Sequence, residues 1–369
     1  MIETEKNRRS CMWDIKAATD ILKKEIDDGH LPGAVLGVYS LHDSKLIALG
    51  NSCIVNQTKK MQANTVFDMA SCTKVVATTT AVLQLIEKGC FCLKSTYQSL
   101  FSDFPYSDIT IEQLLCHTSG LPADNKEYRK CQNAREMKDF IYHLPLNHPA
   151  GTVVEYSDFG FILLGWLVEK CSDLPLDKYC EKHIFLPLGL RRTCFVPENH
   201  NLTKDCAPTE LTEDRGLIQG EVHDGKAYRL QGISGNAGLF STGKDMIRFV
   251  RMILGDDTPQ KPGKKVLGKS SLELLHKSYT EKLNINRTLG WIKNEPTAAY
   301  GDYASDDCLF HTGFSGTSIY IDFKRSCGIV LLTNRVHPNR NNDFIKDIRN
   351  RVHNVLLRSY DEGYSLESL

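Results

Sequence analysis

The chain has 369 residues, 41% hydrophobic and 24% charged, enough apolar material for a large core in one domain or two lobes. Its 45 basic residues balance 45 acidic ones, so there is no global electrostatic footprint for nucleic acid or an anionic membrane. Thirteen cysteines, with no C-x-x-C pair and Cys90 and Cys92 the closest, argue against a zinc ribbon or a disulfide framework and for free thiols.

The opening stretch, M-I-E-T-E-K-N-R-R-S-C, lacks the apolar segment of a secretory signal, and no run reaches the roughly 18 apolar residues of a membrane span. As written the chain is expected to be cytoplasmic, and extracytoplasmic only if a leader has been removed. Ile15, Ala18, Leu22 and Ile26 then recur at helical spacing, which predicts a helix over 14–28. Gly33 to Leu41 and Lys45 to Gly50 read as strands of a hairpin around His42-Asp43-Ser44. Helical patterns follow over Thr73 to Lys88, stopped by Gly89, and over Thr110 to Cys116, where Thr110 and Gln113 form a capping-box pattern. Further helices are expected over Asp158 to Lys170, Leu176 to Ile184, Lys244 to Leu254 and Ser271 to Tyr279, with Gly255 to Lys265 as a surface loop. A second hairpin, Gly316 to Phe323 and Cys327 to Thr333, precedes a closing helix over Asp343 to Ser359.

This order predicts an α/β (α+β) fold: an antiparallel sheet formed by both chain termini, flanked by helices, with a mainly helical region inserted. One domain is expected over 10–358, with an α/β lobe of about 10–75 and 285–358, a helical lobe of about 76–284, and a tail over 359–369.

Three short patterns carry possible chemistry. Gly263 to Ser270 matches the phosphate-loop pattern G-x-x-x-x-G-K-[ST], but the preceding D-D-T-P-Q-K-P cannot be the buried strand that such a loop needs. Lys269 is therefore expected in a basic surface loop before a helix capped near Ser270. His223-Asp224 lacks a second ligand pair at metal spacing, so no metal is expected. The pattern Ser-x-x-Lys occurs at Ser71-Cys-Thr-Lys74 and at Ser241-Thr-Gly-Lys244, about the number that chance supplies. Only the first opens an apolar helix, where Ser71 and Lys74 would share a face one turn apart. Ser241 or Thr242 reads better as a helix cap. Ser71 also suits a cap, and a helix N-terminus that favours a cap also favours an alkoxide there. A free lysine has a pKa of about 10.4, so base work by Lys74 needs a depression worth about 4 kcal/mol, which burial can supply.

Two other segments belong with Ser71. Glu155-Tyr156-Ser157-Asp158 precedes an apolar helix, and His311-Thr312-Gly313 opens the strand Gly316 to Phe323. The three motifs in this order resemble the serine β-lactamase and penicillin-binding-protein superfamily, and in particular its class C β-lactamase and esterase branch. His117-Thr-Ser-Gly-Leu-Pro122, Val222-His-Asp-Gly, Gly232 to Thr242 and Thr333 to Pro338 add to the resemblance, which covers about residues 15 to 358. It implies that Ser71 accepts the acyl group, that Tyr156 and Lys74 form the proton-transfer pair, and that the amides of Ser71 and Phe314 form the oxyanion hole. Asp158, His311, Thr312 and Gly313 would contact substrate. No cofactor is implied. The partner would be a small molecule or short peptide, peptidoglycan-derived in one reading, and the oligomeric state is left open.

The chain departs from that pattern twice. Asp158 stands where a class C enzyme has Asn, and a carboxylate beside Lys74 would keep the lysine protonated, leaving Tyr156 as the principal base. His311 replaces a lysine that anchors substrate carboxylates, which predicts slow or absent β-lactam turnover. The expected activity is acyl hydrolysis of an amide, ester or β-lactam through an acyl-enzyme, with esterase or D-amino-acid peptidase character. The alternative is a catalytically weak binding or scaffold protein that keeps the pocket for cell-wall fragments. Competing bland readings are Ser71 as a cap alone, Tyr156 as a core aromatic, His311 as a structural strand residue, and His117 as a structural turn residue.

Overall fold

The run G-A-V-L-G-V-Y-S is continuously apolar rather than alternating, and it forms a strand, β1 (Gly33–Ser40), buried along its whole length because both faces are covered. The computed structural model describes residues 13–41, 43–256 and 265–362. The opening segment with Cys11, His42 of the first hairpin, residues 257–264 of the predicted surface loop and 363–369 of the tail lie outside the described residues. Eight further strands complete the two larger sheets: β2 (Ser44–Cys53), β3 (Lys59–Lys60), β4 (Phe67–Asp68), β5 (Cys194–Phe195), β6 (Leu239–Ser241), β7 (Cys308–Thr312), β8 (Ser318–Asp322) and β9 (Cys327–Thr333), apart from a small ribbon of Leu211–Thr212 with Gly216–Leu217. The main sheet runs β3-β2-β1-β9-β8-β7 with every pairing antiparallel, and a small sheet runs β4-β6-β5. β1 meets β9 from Ala34 opposite Thr333 to Ser40 opposite Cys327, so the two ends of the chain are joined at the middle of the sheet.

The pleat sorts the side chains into two cores. Ala34, Leu36 and Val38, with Phe310, Tyr320, Ile329 and Leu331, face the helices Ile15–Asp27 and Ile345–Glu362. Val35, Ile319, Ile321, Val330 and Leu332 face the other way, toward the helix Gly243–Ile253 and the helical region beyond it. That helix lies close against the sheet because position 328 carries no side chain: a Cβ on Gly328 would stand 2.5 Å from Val250 Cγ1. The mixed fold of antiparallel sheet and covering helices is the one the chain order predicts.

Differences from the sequence reading are local. His311 and Thr312 do not open the Gly316 to Phe323 strand; they close a separate strand, β7, which pairs with β8 across the turn at 313–317. The helix Ala134–Tyr142, capped by Asn133 accepting from the Glu136 amide at 3.0 Å, was not anticipated. The Ser271 to Tyr279 helix is shorter and earlier, Lys269–Leu274, and its cap position is Gly268, with no side-chain cap from Ser270. Thr110 and Gln113 do make both bonds of a capping box, and Thr242 caps the helix after it by accepting from the Asp245 amide at 3.3 Å. Lys244 is exposed, so the second Ser-x-x-Lys is a cap followed by a surface lysine.

At the centre of the helical region lies Asp158–Ser172, apolar on nearly every side and correspondingly buried. It passes so close to the loop before β6 that a Cβ on Gly235 would stand 2.0 Å from the Phe161 carbonyl oxygen. Gly235→Ala is expected to cost about 2 kcal/mol, read as a lower urea midpoint at unchanged slope.

Candidate active site

The turn that carries Ser71 is shaped by a buried carboxylate. Asp68 Oδ1 accepts the Ala70 amide and Oδ2 accepts the His223 amide, each at 2.8 Å. Thr73 Oγ1 donates to the Ala70 carbonyl at 2.6 Å and accepts the Leu239 amide at 3.1 Å. Between these ties Ala70 is held at φ +45, the left-handed region that a residue with a side chain avoids. Ala70–Cys72 is a tight 3-10 turn, Lys74–Thr79 a wide π-helical turn, and Thr80–Glu87 an α-helix. The expected uniform helix from Thr73 therefore changes pitch twice, a feature that concentrates at functional sites. Ser71 is not a helix cap: the first turn has no side-chain cap bond, and the Ser71 hydroxyl oxygen accepts from Lys74 instead.

Lys74 is fully buried, and its ammonium has three acceptors: Ser71 Oγ at 3.0 Å, Asp158 Oδ1 at 2.7 Å and the Asn236 carbonyl at 2.9 Å. Those are all the protons a charged lysine has to give. Burial works against the charge, but Asp158 and Tyr156 outweigh it and hold Lys74 above its ordinary pKa. The second oxygen of Asp158 accepts from Lys226 at 3.1 Å, and Lys226 also reaches Asp124 at 2.8 Å. Burial would raise the Asp158 carboxyl, yet Lys74 and Lys226 hold it at about 2. A chain of alternating charge thus runs Asp124, Lys226, Asp158, Lys74 and ends on the serine hydroxyl.

Tyr156 is half-buried beside this chain, its ring centroid 4.9 Å from Lys74 Nζ. His117, itself at φ +59, supports the segment from below: its ring lies 4.4 Å from that of Tyr156, its Nδ1 accepts the Ser157 amide at 3.0 Å, and its carbonyl accepts the Glu155 amide at 2.8 Å. His311, 3% exposed, lies 6.2 Å from Tyr156 ring to ring. Burial pushes both imidazoles well below their ordinary range, with Arg287 and Lys74 adding to it, so both are neutral.

The turn after β7 is stitched to the Ser71 turn. Ser315 Oγ donates to the Asp68 carbonyl at 2.7 Å, Thr317 Oγ1 to the Met69 carbonyl at 3.1 Å, and the Gly313 amide to the Thr317 carbonyl at 2.8 Å. Among the described residues the amides of Ser71 and Phe314 have no acceptor. The Phe314 side chain is exposed; it stacks on His223 at 5.6 Å and lies 4.7 Å from the Arg335 guanidinium. The adjoining cleft has a volume of about 770 Å³ and is lined by Ser71, Asp158, Lys226, Tyr128, Phe314 and Arg340 among others. His223 is tied to Glu210 at 2.9 Å, and Asp224 caps the helix Gly225–Arg229. Lys269 is solvent-exposed, pairs with Glu273 and is not part of this lining; it borders a separate cleft of about 420 Å³ with Leu272, His276 and Phe323.

The structure therefore brings Ser71, Lys74, Asp158 and Tyr156 together, sets Thr312, Gly313 and Phe314 beside the Ser71 turn, and leaves His311 as a buried neutral ring. Lys226, Asn236 and Arg287 join the group without having been singled out. No local pattern marks them, since each contact spans 68 residues or more for the first two; the aligned G-I-S-G-N segment was the nearest available signal.

Comparison with known proteins agrees with this fold. The chain belongs to the Beta-lactamase family, whose model matches residues 18–352. It is 31% identical over 365 residues to a Bacillus subtilis protein named N-acetylmuramyl-L-alanine amidase, covering 88% of this chain and 81% of that one. Its fold superposes on a class C β-lactamase from Rhodobacter sphaeroides with a TM-score of 0.73 at 18% identity, covering 93% and 99% of the two chains. It also superposes on unliganded simvastatin synthase from Aspergillus terreus with a TM-score of 0.74 at 18% identity, covering 94% and 98%.

The neutral histidines set a pH dependence of stability. A histidine that stays neutral when folded but binds a proton near pH 6.5 when unfolded contributes stability that is complete above that value and declines as pH falls below it. His117, His311 and His353, the last held at about 3, each behave this way. Stability is expected to fall below pH 6.5 by about 1.4 kcal/mol per pH unit for each, and His353→Gln to flatten that slope by one such share in urea titrations. The Asp158 contribution, whose folded value is depressed, persists to lower pH and is lost only from about 4 toward 2.

Proposed function

We propose that the chain is a serine acyl hydrolase that works through a covalent acyl-enzyme on Ser71 and cleaves a small amide derived from peptidoglycan. The observation that carries this reading is the buried Lys74 ammonium, with three acceptors and one of its protons on Ser71 Oγ. A lysine so committed has no lone pair with which to take a proton, so the base must be another group, and Tyr156, whose ring lies 4.9 Å from Lys74 Nζ, is the neighbouring titratable side chain that is not already paired with it as an ion.

In the acylation step the phenolate of Tyr156 takes the Ser71 proton as Oγ bonds to the substrate carbonyl carbon. The carbonyl electron pair moves to oxygen, where the free amides of Ser71 and Phe314 receive it. Collapse of that intermediate expels the amine, which leaves with the proton held on Tyr156. Water repeats the sequence in reverse: it loses a proton to Tyr156, attacks the acyl carbon, and the departing Ser71 oxygen recovers the proton. Lys74 remains a cation throughout and orients Oγ. These groups suffice for acyl transfer without a metal or cofactor.

The substrate class rests on the relative named for N-acetylmuramyl-L-alanine amidase action and on a cleft lined largely by polar and charged side chains. A neutral, buried His311 offers no cation for the carboxylate of a β-lactam.

A fluorophosphonate probe followed by mass spectrometry is expected to label Ser71, and Ser71→Ala to abolish both label and turnover. Absence of an adduct on wild-type protein that still binds muramyl peptides would make the chain a binding protein instead. Tyr156→Phe is expected to lower kcat/KM by about 10²–10⁴ on p-nitrophenyl esters and muramyl-L-alanine amides. If it keeps most of the acylation rate while Lys74→Ala loses it, the base is Lys74. Nitrocefin turnover is expected to be slow or absent, and rates near the diffusional range would contradict the role given to His311.

A further inference from the structure

Arg287 is 3% exposed, and no carboxylate among the described residues pairs with it. Its Nη2 donates to the Gly290 carbonyl at 3.0 Å, while its Nε has no partner. A buried guanidinium without a counter-charge is unusual, because buried charges are ordinarily paired. Its placement is also built rather than incidental. The Arg287 amide donates to Thr280 Oγ1 at 2.7 Å, its carbonyl accepts the Tyr279 amide at 2.9 Å, and the Gly290 amide donates to the Leu115 carbonyl at 3.0 Å.

The groups within its reach identify what the charge is for. The guanidinium carbon lies 5.8 Å from the Tyr156 ring centroid. Cys116, its other ionisable neighbour, is pushed up to about 12 by burial and stays a neutral thiol. Around Tyr156 itself stand Lys74 at 4.9 Å, Arg287 at 5.8 Å, and the neutral rings of His117 at 4.4 Å and His311 at 6.2 Å. Asp158, the nearby carboxylate, already divides its charge between Lys74 and Lys226. Among the side chains of the described residues, Tyr156 as a phenolate is thus the anion that this pocket can set against Arg287, and a cation near an aromatic face gains far more from a ring that carries negative charge.

We propose that Arg287 is a positioning residue for the Tyr156 base, the second buried cation beside its ring, present to hold the phenolate charge when Lys74 is neutralised by Asp158. The inference rests on the reading of Tyr156 as the base.

The test follows the pH dependence of Ser71 acylation by p-nitrophenyl acetate in single turnovers, after labelling has shown that wild-type Ser71 is reactive. Arg287→Gln is expected to move the acidic limb up by about one pH unit and to lower the rate on that limb about tenfold, with KM little changed. Arg287→Lys, which keeps the charge, should lie near wild type. A folded Arg287→Gln with the wild-type limb overturns the proposal, as does an effect confined to the KM of anionic substrates, which would make Arg287 a substrate anchor. Should Arg287→Gln fail to fold, Arg287→Lys decides: an acidic limb at the wild-type position supports the proposal, and a limb moved up by about one pH unit or more despite the retained charge overturns it. Unreactive wild-type Ser71 would instead remove the underlying function.

Discussion

The buried pair of Lys74 and Asp158 is the interaction on which the rest of the site depends. It joins the nucleophile turn to the first residue of the helix Asp158–Ser172, where the helix N-terminus already favours a carboxylate. Through the third proton of Lys74 it also fixes the Asn236 carbonyl, and with it the loop that leads into β6. Such a pair contributes little net stability over an apolar substitute, but removing one partner strands the other, at a cost of about 3–5 kcal/mol. Its value lies in specifying geometry: three segments distant in the chain meet at one ammonium group, and the serine hydroxyl is oriented as a by-product.

Charge in this pocket is arranged by exclusion as much as by contact. His117 and His311 are both near Tyr156, and either could have added a switchable charge; burial keeps them neutral, so their role there is shape and hydrogen bonding. His117 is a clear instance, because its left-handed backbone and its Nδ1 together hold the chain on either side of Tyr156. Cysteines follow the same rule: Cys72, next to Ser71, is pushed up to about 12 by burial and stays a neutral, unreactive thiol.

Much of this was legible from the residues alone, for definite reasons. β1 and β9 are apolar over nearly their whole length, β8 carries Ile-Tyr-Ile at its centre, and the helix Ile15–Asp27 keeps a one-sided period, so patterning decides them. β7 was missed because C-L-F-H-T is short and mixes apolar with polar side chains, and only its pairing with β8 makes it a strand. The strain at Ala70 has no local signature, since alanine is an ordinary helix former; the conformation is imposed by Asp68 from one side and Thr73 from the other. The Ser71, Tyr156 and His311 motifs could be found by order and spacing. Whether His311 is charged, and that Lys226 and Arg287 join the group, depends on burial and on contacts between distant segments, which spacing does not encode.

The joining of the two chain ends at β1 and β9 bears on when the protein becomes competent during synthesis. Ser71, Lys74 and Tyr156 leave the ribosome long before the hairpin of β8 and β9, and the turn that carries the Phe314 amide is tied to the nucleophile turn by Ser315 and Thr317. Pairing over so long a sequence separation is slow to form relative to local helices. The nascent chain therefore holds its serine and lysine without the second amide opposite them, and acquires a complete pocket only when the last strands insert. The same contact that finishes the sheet finishes the pocket.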